Sequence, residues 1–368
     1  MARRNLTRTA AIALLALIAA IAVYWAYKHF YFSRAGGIPA VAIDPAKAIF
    51  KVSFSAPDGS PPRKLLLHPN YCFVPTPSTD VTVQVLHERK ILEGDFSVFN
   101  PVQNATVTSS GKLFSFSAPA GECLTGIRFM PRAGPSFFLH MAVPLHEPDA
   151  RKGSVDGVRI GSYPKVAKGP ESVRAHPSAH VPPQYFLRLT DDNLDLKLAP
   201  VVTIGDLVCP TDEDDPTRHI HLAPVNYDLI FKIQSAWRLF HQKYPDVAEW
   251  RYISWFRTPT HNRREGGATY SRHIYADACD IIIDEDMDWR MDDLNGDGKI
   301  DKGDSVPLAR LFEQLDAEGT VTPGGIGAYE YPGPTSTGAA IHVDVRGFKK
   351  RWGFSWMSGR RTLFRWYR

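Results

Sequence analysis

Two residues in the C-terminal half have the chemistry of metal ligands but an awkward spacing. His273 and Asp280 stand seven residues apart, with Ala276 and Asp277 between them. On a continuous helix their Cα atoms would lie about 10.5 Å apart along the axis, too far for two ligands each about 2 Å from one ion. On a flat strand an odd spacing would place them on opposite faces. The pair can therefore share a metal only if the chain bends near Ala276.

A third ligand is expected from the β-branched segment Ile341–Val345. Within it His342 and Asp344 alternate with apolar residues, so both polar side chains project from one face of a strand. Two imidazoles and one carboxylate leave a fourth zinc position open for water, as catalytic zinc sites require. His273, Asp280 and His342 are thus the predicted ligands of a zinc ion (Zn2+).

The segment from Ser271 to Asp280 resembles the SxHxxGxAxD signature of zinc D-alanyl-D-alanine carboxypeptidases and dipeptidases. These enzymes belong to a wider group that includes lysostaphin-type enzymes and the hedgehog signalling domain. The resemblance covers about residues 206–353, and its further motifs are Phe256-Arg257-Thr258-Pro259 with Asn262, and Gly325-Ile326-Gly327-Ala328-Tyr329 ahead of His342-Val343-Asp344. It implies zinc as a cofactor and the stem peptide of peptidoglycan as the substrate.

The same resemblance implies roles for two polar residues. Arg257 would stabilise the oxyanion or bind the substrate, because a guanidinium presents several donors to a carboxylate or a developing negative charge. Ser271 would help to hold the terminal carboxylate of the substrate. Ala276 departs from the family pattern, which has glycine there, so the bend must accommodate a Cβ.

A second departure concerns the general base. Many relatives have an acidic residue three positions before the last histidine, where this chain has Ala339. Hydrolysis of a peptide normally needs a base within hydrogen-bond reach of the attacking water. Asp344 and Glu330 are the candidate substitutes. We predict zinc-dependent hydrolysis of an amide bond in peptidoglycan stem peptides, of D,D-carboxypeptidase or endopeptidase type. The alternative is a non-hydrolytic, zinc-containing module that binds cell-wall peptides.

Residues 293–304 predict a second metal site, because they match an EF-hand-type calcium loop with Gly298 at the sixth position and Ile300 at the eighth. The last position is Asp instead of Glu, which should weaken affinity for Ca2+ or admit magnesium. We expect the ion to stabilise this insert. The predicted ligands are Asp293, Asn295, Asp297, Lys299 through its carbonyl, Asp301 and Asp304.

The elements that must position these residues can be read from periodicity. Residues 226–243 and 306–317 have helical spacing of apolar residues, while residues 250–256 and 341–345 alternate like strands. Residues 184–198 also read as a strand. We expect an α+β zinc peptidase-like domain over residues 186–368, with an antiparallel sheet and flanking helices.

Residues 37–150 read as a β-rich module, because short β-branched or aromatic runs such as Ala48–Phe54 and Phe137–Ala142 alternate with turns. A β-sandwich is the expected fold. Cys72 and Cys123 lie in this module, and a disulfide between them is permissible. Residues 151–185 are rich in Pro, Gly and charged residues and predict a linker or a strap over the surface.

Residues 1–36 predict a membrane anchor. Three arginines precede an uncharged run from Ala10 to Tyr27, whose length as a helix is about 27 Å, near that of a bilayer core. The charge asymmetry predicts a single pass through the inner membrane with the rest of the chain periplasmic. A cleaved signal peptide with Ala20-Ile21-Ala22 at its end is the competing interpretation.

Composition excludes other classes of protein. With 44% hydrophobic and 22% charged residues, the 368-residue chain is neither disordered nor fibrous. A net charge of +4 and the absence of a matching motif argue against a nucleic-acid partner. No oligomeric state follows from the sequence.

Overall fold

The computed structural model describes residues 43–88, 90–91, 96–100, 105–108, 113–131, 134–208, 222–245, 249–331 and 336–353. Within these ranges the chain is a mixed α+β protein, built mainly of antiparallel sheets with few helices. None of the helices in these ranges has both the length and the apolar character needed to cross a bilayer. The predicted anchor, residues 1–36, lies outside the described residues.

The N-terminal half forms two five-stranded sheets. One has the order β2-β1-β4-β5 with β8 also paired to β4, and the other has the order β3-β10-β9-β6-β7. All pairs are antiparallel except that between β3 and β10. The strands are β1 Ala48–Phe54, β2 Arg63–Leu67, β3 Cys72–Phe73, β4 Asp80–His87, β5 Lys90–Ile91, β6 Phe96–Asn100, β7 Ala105–Thr108, β8 Phe114–Ser117, β9 Cys123–Pro131 and β10 Phe137–Val143.

These two sheets face each other across an aromatic core. Phe50 of β1 lies 4.6 Å from Phe129 of β9 between ring centroids, and Phe114 of β8 lies 5.8 Å from the same ring. Alternate residues of β1 are buried, as expected for a strand with one face on a core. Cys72 and Cys123 are both free thiols, because β10 lies between β3 and β9, the strands that carry them. The permissible disulfide is not formed.

Residues 145–223 contain short elements that bind the two halves together. They are β11 Leu145–His146, β12 Ser154–Val155, β13 Val158–Arg159, helix α1 Glu171–Arg174, β14 Tyr185–Arg188, β15 Lys197–Ala199, β16 Val202–Thr203 and β17 Leu222–Ala223. The continuous strand expected over 184–198 is wrong. The Asn193 side chain bonds to the backbone of Thr190 and Arg188, which stabilises a turn in place of a strand.

The segment 151–185 packs on the C-terminal half. The Thr260 amide donates to the Ile160 carbonyl at 3.0 Å, and the Tyr270 hydroxyl donates to the Lys165 carbonyl at 3.0 Å. The two halves also share one contiguous hydrophobic core. At their junction the hydroxyl of Tyr227 accepts a hydrogen bond from the amide of Val74 at 2.7 Å.

The C-terminal half is built on a five-stranded sheet of order β18-β19-β21-β20-β22. Its strands are β18 Trp250–Ser254, β19 Ala278–Ile283, β20 Gly325–Tyr331, β21 Gly338–Asp344 and β22 Lys350–Trp352. All pairs are antiparallel except β20 with β22. The helices are α2 Tyr227–Lys243, α3 Pro259–Arg264 and α4 Ser305–Glu318.

The two long helices cover one face of this sheet. Asn226 caps α2 by accepting a hydrogen bond from the Leu229 amide, and Phe240 of α2 packs on Trp250 of β18 at 5.6 Å. Phe312 of α4 approaches the same ring at 6.4 Å. Ile283, which lies opposite Trp250, shares this core face because paired residues project to the same side. The opposite face of the sheet carries the polar residues described next.

Candidate metal centre

A sharp bend brings His273 beside the sheet. His273 lies on a single 3-10 turn, Arg272–Tyr275, that ends at Ala276 in the left-handed conformation with φ +58° and ψ 21°. Left-handed backbone costs an L-residue with a Cβ about 1–2 kcal/mol. The bend that the spacing required is therefore present, and it uses alanine where the family pattern has glycine. Strand β19 begins two residues later and carries Asp280.

A bulge in β18 places Ser254 on the same face of the sheet as Asp280. Tyr252 lies opposite Ile281 on the core face, and regular alternation would place Ser254 on that face too. The register shifts between Tyr252 and Ser254, so Ser254 lies opposite Asp280 on the polar face. Beyond the bulge, the buried Trp255 presents its carbonyl oxygen to His273.

The three predicted zinc ligands converge on this polar face. Asp280 lies directly opposite His342 in the β19–β21 pair. His342 Nδ1 is 2.8 Å from Asp280 Oδ1 and 3.2 Å from His273 Nε2, and His273 Nε2 is 3.3 Å from Asp280 Oδ2. One ligand atom of each residue lies within 4.8 Å of the others, and all three residues are buried. The group can hold a metal ion.

Hydrogen bonds determine which nitrogen of each imidazole faces the ligand group. His273 Nδ1 lies 2.7 Å from the carbonyl oxygen of Trp255, which can only accept, so Nδ1 carries the proton and Nε2 presents a lone pair to the group. His342 has a carboxylate at each nitrogen, Asp344 Oδ2 at 3.2 Å from Nε2 and Asp280 Oδ1 at 2.8 Å from Nδ1, and Nδ1 is the nitrogen that faces the ligand group. Such bonds on the far nitrogen orient metal-binding histidines and raise their basicity.

The Asp344 carboxylate is held from several sides. It is fully buried, and it accepts hydrogen bonds from the Gly325 amide at 2.7 Å and from Arg346 Nε at 2.9 Å. The buried Lys232 ammonium donates to the Asp344 backbone carbonyl at 3.1 Å. Asp344 is therefore placed to orient His342, with no free oxygen directed at the ligand group.

The electrostatics of the group favour the binding of a cation. Burial alone would raise the pKa of Asp280, but His273 and His342 outweigh it and hold that pKa well below its usual range. Burial lowers the pKa of His273, and the attraction of Asp280 offsets only part of this effect. Burial opposes the charged form of His342 too, yet its bonds to Asp280 and Asp344 raise its pKa to about 9. The carboxylates of Asp280 and Asp344 thus stabilise the protonated form of His342.

Arg257 lies beside the ligand group. Its Nε donates to Ser254 Oγ at 2.7 Å, and its Nη2 donates to Asp280 Oδ2 at 3.2 Å. The Arg257 side chain is 19% exposed, so it is partly accessible from solvent. Ser271 occupies the N-cap position of the turn that carries His273, makes no capping side-chain hydrogen bond, and is partly exposed. The substrate roles of Arg257 and Ser271 stay predictions.

The candidate bases have different surroundings from those the sequence led us to expect. Glu330 lies opposite Ala339 in the β20–β21 pair. Ala339 is an odd number of residues from His342 on the same strand, so Ala339 and Glu330 project from the core face of the sheet and not from the face of His342. The Glu330 carboxylate is about half exposed and faces Lys302 at 4.0 Å. Asp344 shares the face of His342 but is already bonded to it. The geometry therefore supports a positioning role for Asp344 and gives Glu330 no path to the ligands.

An aromatic wall, formed by Tyr329 and Trp352, borders the group and was missed by the sequence analysis. The Tyr329 and Trp352 rings lie 6.1 Å and 5.1 Å from His342. Trp352 packs over Gly327, which lies opposite His342 and where any Cβ would collide with the indole. One feature of the sequence could have revealed this wall. Gly325, Gly327 and Tyr329 alternate at two-residue spacing, which places all three on one face of a strand.

The predicted calcium loop makes hydrogen bonds to its own backbone. Asp293 accepts from the Gly298 amide at 2.7 Å, and Asp304 accepts from the Asp301 amide at 2.8 Å. Among the described residues, the metal-compatible groups of three are His273–Asp280–His342 and Asp284–Asp286–Asp292, and the loop carboxylates form neither. Donor geometry therefore does not support calcium here, and the ligand set Asp293, Asn295, Asp297, Lys299, Asp301 and Asp304 stays a prediction.

Comparison with known proteins agrees with the zinc interpretation at the level of the family. Residues 251–299 match the family model described as Peptidase M15, a family of zinc-dependent peptidases. The match contains His273 and Asp280 and ends before His342. It supports an M15-type zinc peptidase without distinguishing carboxypeptidases from dipeptidases. No curated protein and no solved structure matches the chain.

Proposed function

We propose that this chain is a zinc-dependent peptidase that hydrolyses an amide bond in peptidoglycan stem peptides, with D,D-carboxypeptidase or endopeptidase specificity. The observation that carries the proposal is the convergence of His273 Nε2, Asp280 and His342 Nδ1, with the Trp255 carbonyl and the Asp344 carboxylate at the far nitrogens of the two histidines. Two of the three residues lie in the segment that matches the M15 family model.

The donor set suits zinc. Two neutral imidazole nitrogens and one carboxylate are its usual ligands in catalytic sites, and the hydrogen bonds to Trp255 and Asp344 supply the outer support such ligands need. A zinc ion in this site would supply a Lewis acid that polarises a carbonyl and activates water. Arg257 would bind the negative charge that develops on the substrate, and Ser271 would hold its carboxylate.

A non-hydrolytic peptide-binding module is the second candidate. It is favoured by the surroundings of the three candidate base positions. Ala339 and Glu330 project from the core face, and the Asp344 carboxylate is bonded to His342 and Arg346. A site that holds zinc and peptide but lacks a proton acceptor would bind without cleaving.

We further propose that residues 1–36 anchor the chain in the inner membrane with the remainder periplasmic, where the polymer substrate lies. Calcium binding by residues 293–304 is likewise a proposal, which rests on the match of the sequence to an EF-hand-type loop.

Digestion of purified muropeptides by the full-length chain tests the enzymatic proposal. We expect the zinc-loaded protein to release D-alanine from pentapeptides, or to convert cross-linked dimers to monomers, as read by mass spectrometry. His273→Ala should abolish both zinc retention and cleavage. His68→Ala, which removes an exposed histidine of the N-terminal half, is the matched control and should change neither. Bound zinc and bound muropeptide without any product would establish the binding module instead.

A further inference from the structure

We propose that Tyr329 is a further catalytic residue, whose phenolic hydroxyl donates a hydrogen bond to the oxyanion that develops on the scissile carbonyl. This inference rests on the proposed function. It assigns to the aromatic wall a chemical role that neither the family match nor the predicted ligand set contains.

The strand register places Tyr329 on the face of the ligand group. Gly327 lies directly opposite His342, and Tyr329 lies two residues further along β20, opposite Ala340. Residues two apart on a strand share a face, so the Tyr329 ring projects to the same side as His342. The ring centroids lie 6.1 Å apart at 85°, an edge-to-face contact.

A neighbouring side chain orients the Tyr329 ring. Trp352 packs against this ring, with 6.3 Å between the ring centroids. Gly327 makes this contact possible, because a Cβ there would occupy the space of the indole. The packed ring places the phenolic hydroxyl, which can donate its proton, before substrate arrives.

A phenolic donor on the β20 side would complement the guanidinium of Arg257. Arg257 approaches Asp280 from the β18 side and is already bonded to Asp280 and Ser254. Tyr329 approaches from β20, on the other side of His342. Donors that are fixed before the reaction stabilise developing charge most strongly, and removal of one such donor typically lowers kcat by about 100-fold to 1,000-fold.

The test compares Tyr329→Phe with Tyr244→Phe in the full-length, zinc-loaded protein. Tyr244 lies at the end of α2, away from the polar face, and serves as the matched loss of a phenolic hydroxyl. We expect Tyr329→Phe to lower kcat on muropeptides by about 100-fold with little change in KM. We also expect it to weaken binding of a phosphinate dipeptide, which imitates the charged transition state, by a similar factor while zinc affinity stays unchanged. Tyr244→Phe should change none of these quantities.

Each other outcome has a defined meaning. Unchanged kcat and unchanged phosphinate affinity in Tyr329→Phe, with an active wild type, would overturn the role of Tyr329 and leave the proposed function intact. A loss of kcat in Tyr331→Phe instead of Tyr329→Phe would also overturn the role of Tyr329, since Tyr331 lies on the same face two residues further from His342. If the wild-type protein cleaves no muropeptide and does not bind the phosphinate, the proposed function itself fails. Loss of zinc affinity in Tyr329→Phe would also refute the role, because the residue would then act through the ligands.

Discussion

Replacing Asp344 with asparagine separates two roles for this carboxylate, orientation of His342 and general base. Asparagine has nearly the same shape but can present only one acceptor oxygen. The wild-type carboxylate accepts from His342, Arg346 and the Gly325 amide in a fully buried position. The substitution therefore removes the negative charge from all of these contacts and leaves at least one of the donors without an acceptor.

The expected magnitude follows from these contacts. A hydrogen bond to a charged group contributes about 1.5–3 kcal/mol, so loss of one or two of them should lower the free energy of unfolding of the metal-free protein by about 3 kcal/mol. Loss of the partner that orients a metal-binding histidine typically weakens metal affinity by about 10-fold to 100-fold. We expect Asp344→Asn to raise the Kd for zinc by that factor.

The assay combines urea unfolding, competition for zinc with a chromogenic chelator, and the pH profile of muropeptide cleavage at saturating zinc. With zinc restored, the variant should retain most of its kcat and the acidic limb of the profile. Asp149→Asn removes the charge of an exposed carboxylate paired with Lys152 and should alter stability by no more than about 0.5 kcal/mol. Unchanged zinc affinity together with a lost acidic limb would refute the orienting role and identify Asp344 as the base.

Three further predictions concern protonation, the bend and the loop. The pKa of His342 is raised to about 9, so its ion pairs stabilise the metal-free chain fully below about pH 6.5, and this stabilisation is lost as pH rises to about 9. Because zinc must displace a proton from His342, the zinc association constant should rise about tenfold per pH unit over the same range. Calorimetry in buffers of different ionisation enthalpy would detect the released proton, and its absence would contradict the raised pKa. Ala276→Val should lower the free energy of unfolding by more than about 2 kcal/mol and weaken zinc binding, because a β-branched residue is strongly disfavoured at φ +58°. Ala276→Gly should keep zinc affinity. Equal unfolding midpoints for the two variants in urea would show that the bend is not constrained. If residues 293–304 bind calcium, wild-type Tm should rise with calcium and Asp293→Ala should abolish that rise, so an unchanged shift in the variant would exclude the predicted ligand set.

Periodicity predicted the regular elements well where one face of an element is buried. The helix expected over 226–243 is observed as Tyr227–Lys243, and the strand expected over Ala48–Phe54 has those bounds. The prediction failed over 184–198, because a single side chain, Asn193, stabilises a turn there that apolar spacing does not reveal. Local side-chain bonds of this kind compete with the sheet and have no period.

Residue types and spacing were sufficient to identify which three side chains can share a metal and that the chain must bend between two of them. His273, Asp280 and His342 could be selected because ligand chemistry and strand alternation are local properties of the sequence. The register of the sheet was not local, since pairing between distant strands decides which face each residue occupies. It set Asp280 opposite His342, turned Glu330 and Ala339 to the core face, and brought Tyr329 and Trp352 beside the ligands. The bulge that moves Ser254 across β18 and the bonds that commit Asp344 to His342 likewise exist only once the strands are paired, because each depends on contacts between residues far apart in the chain.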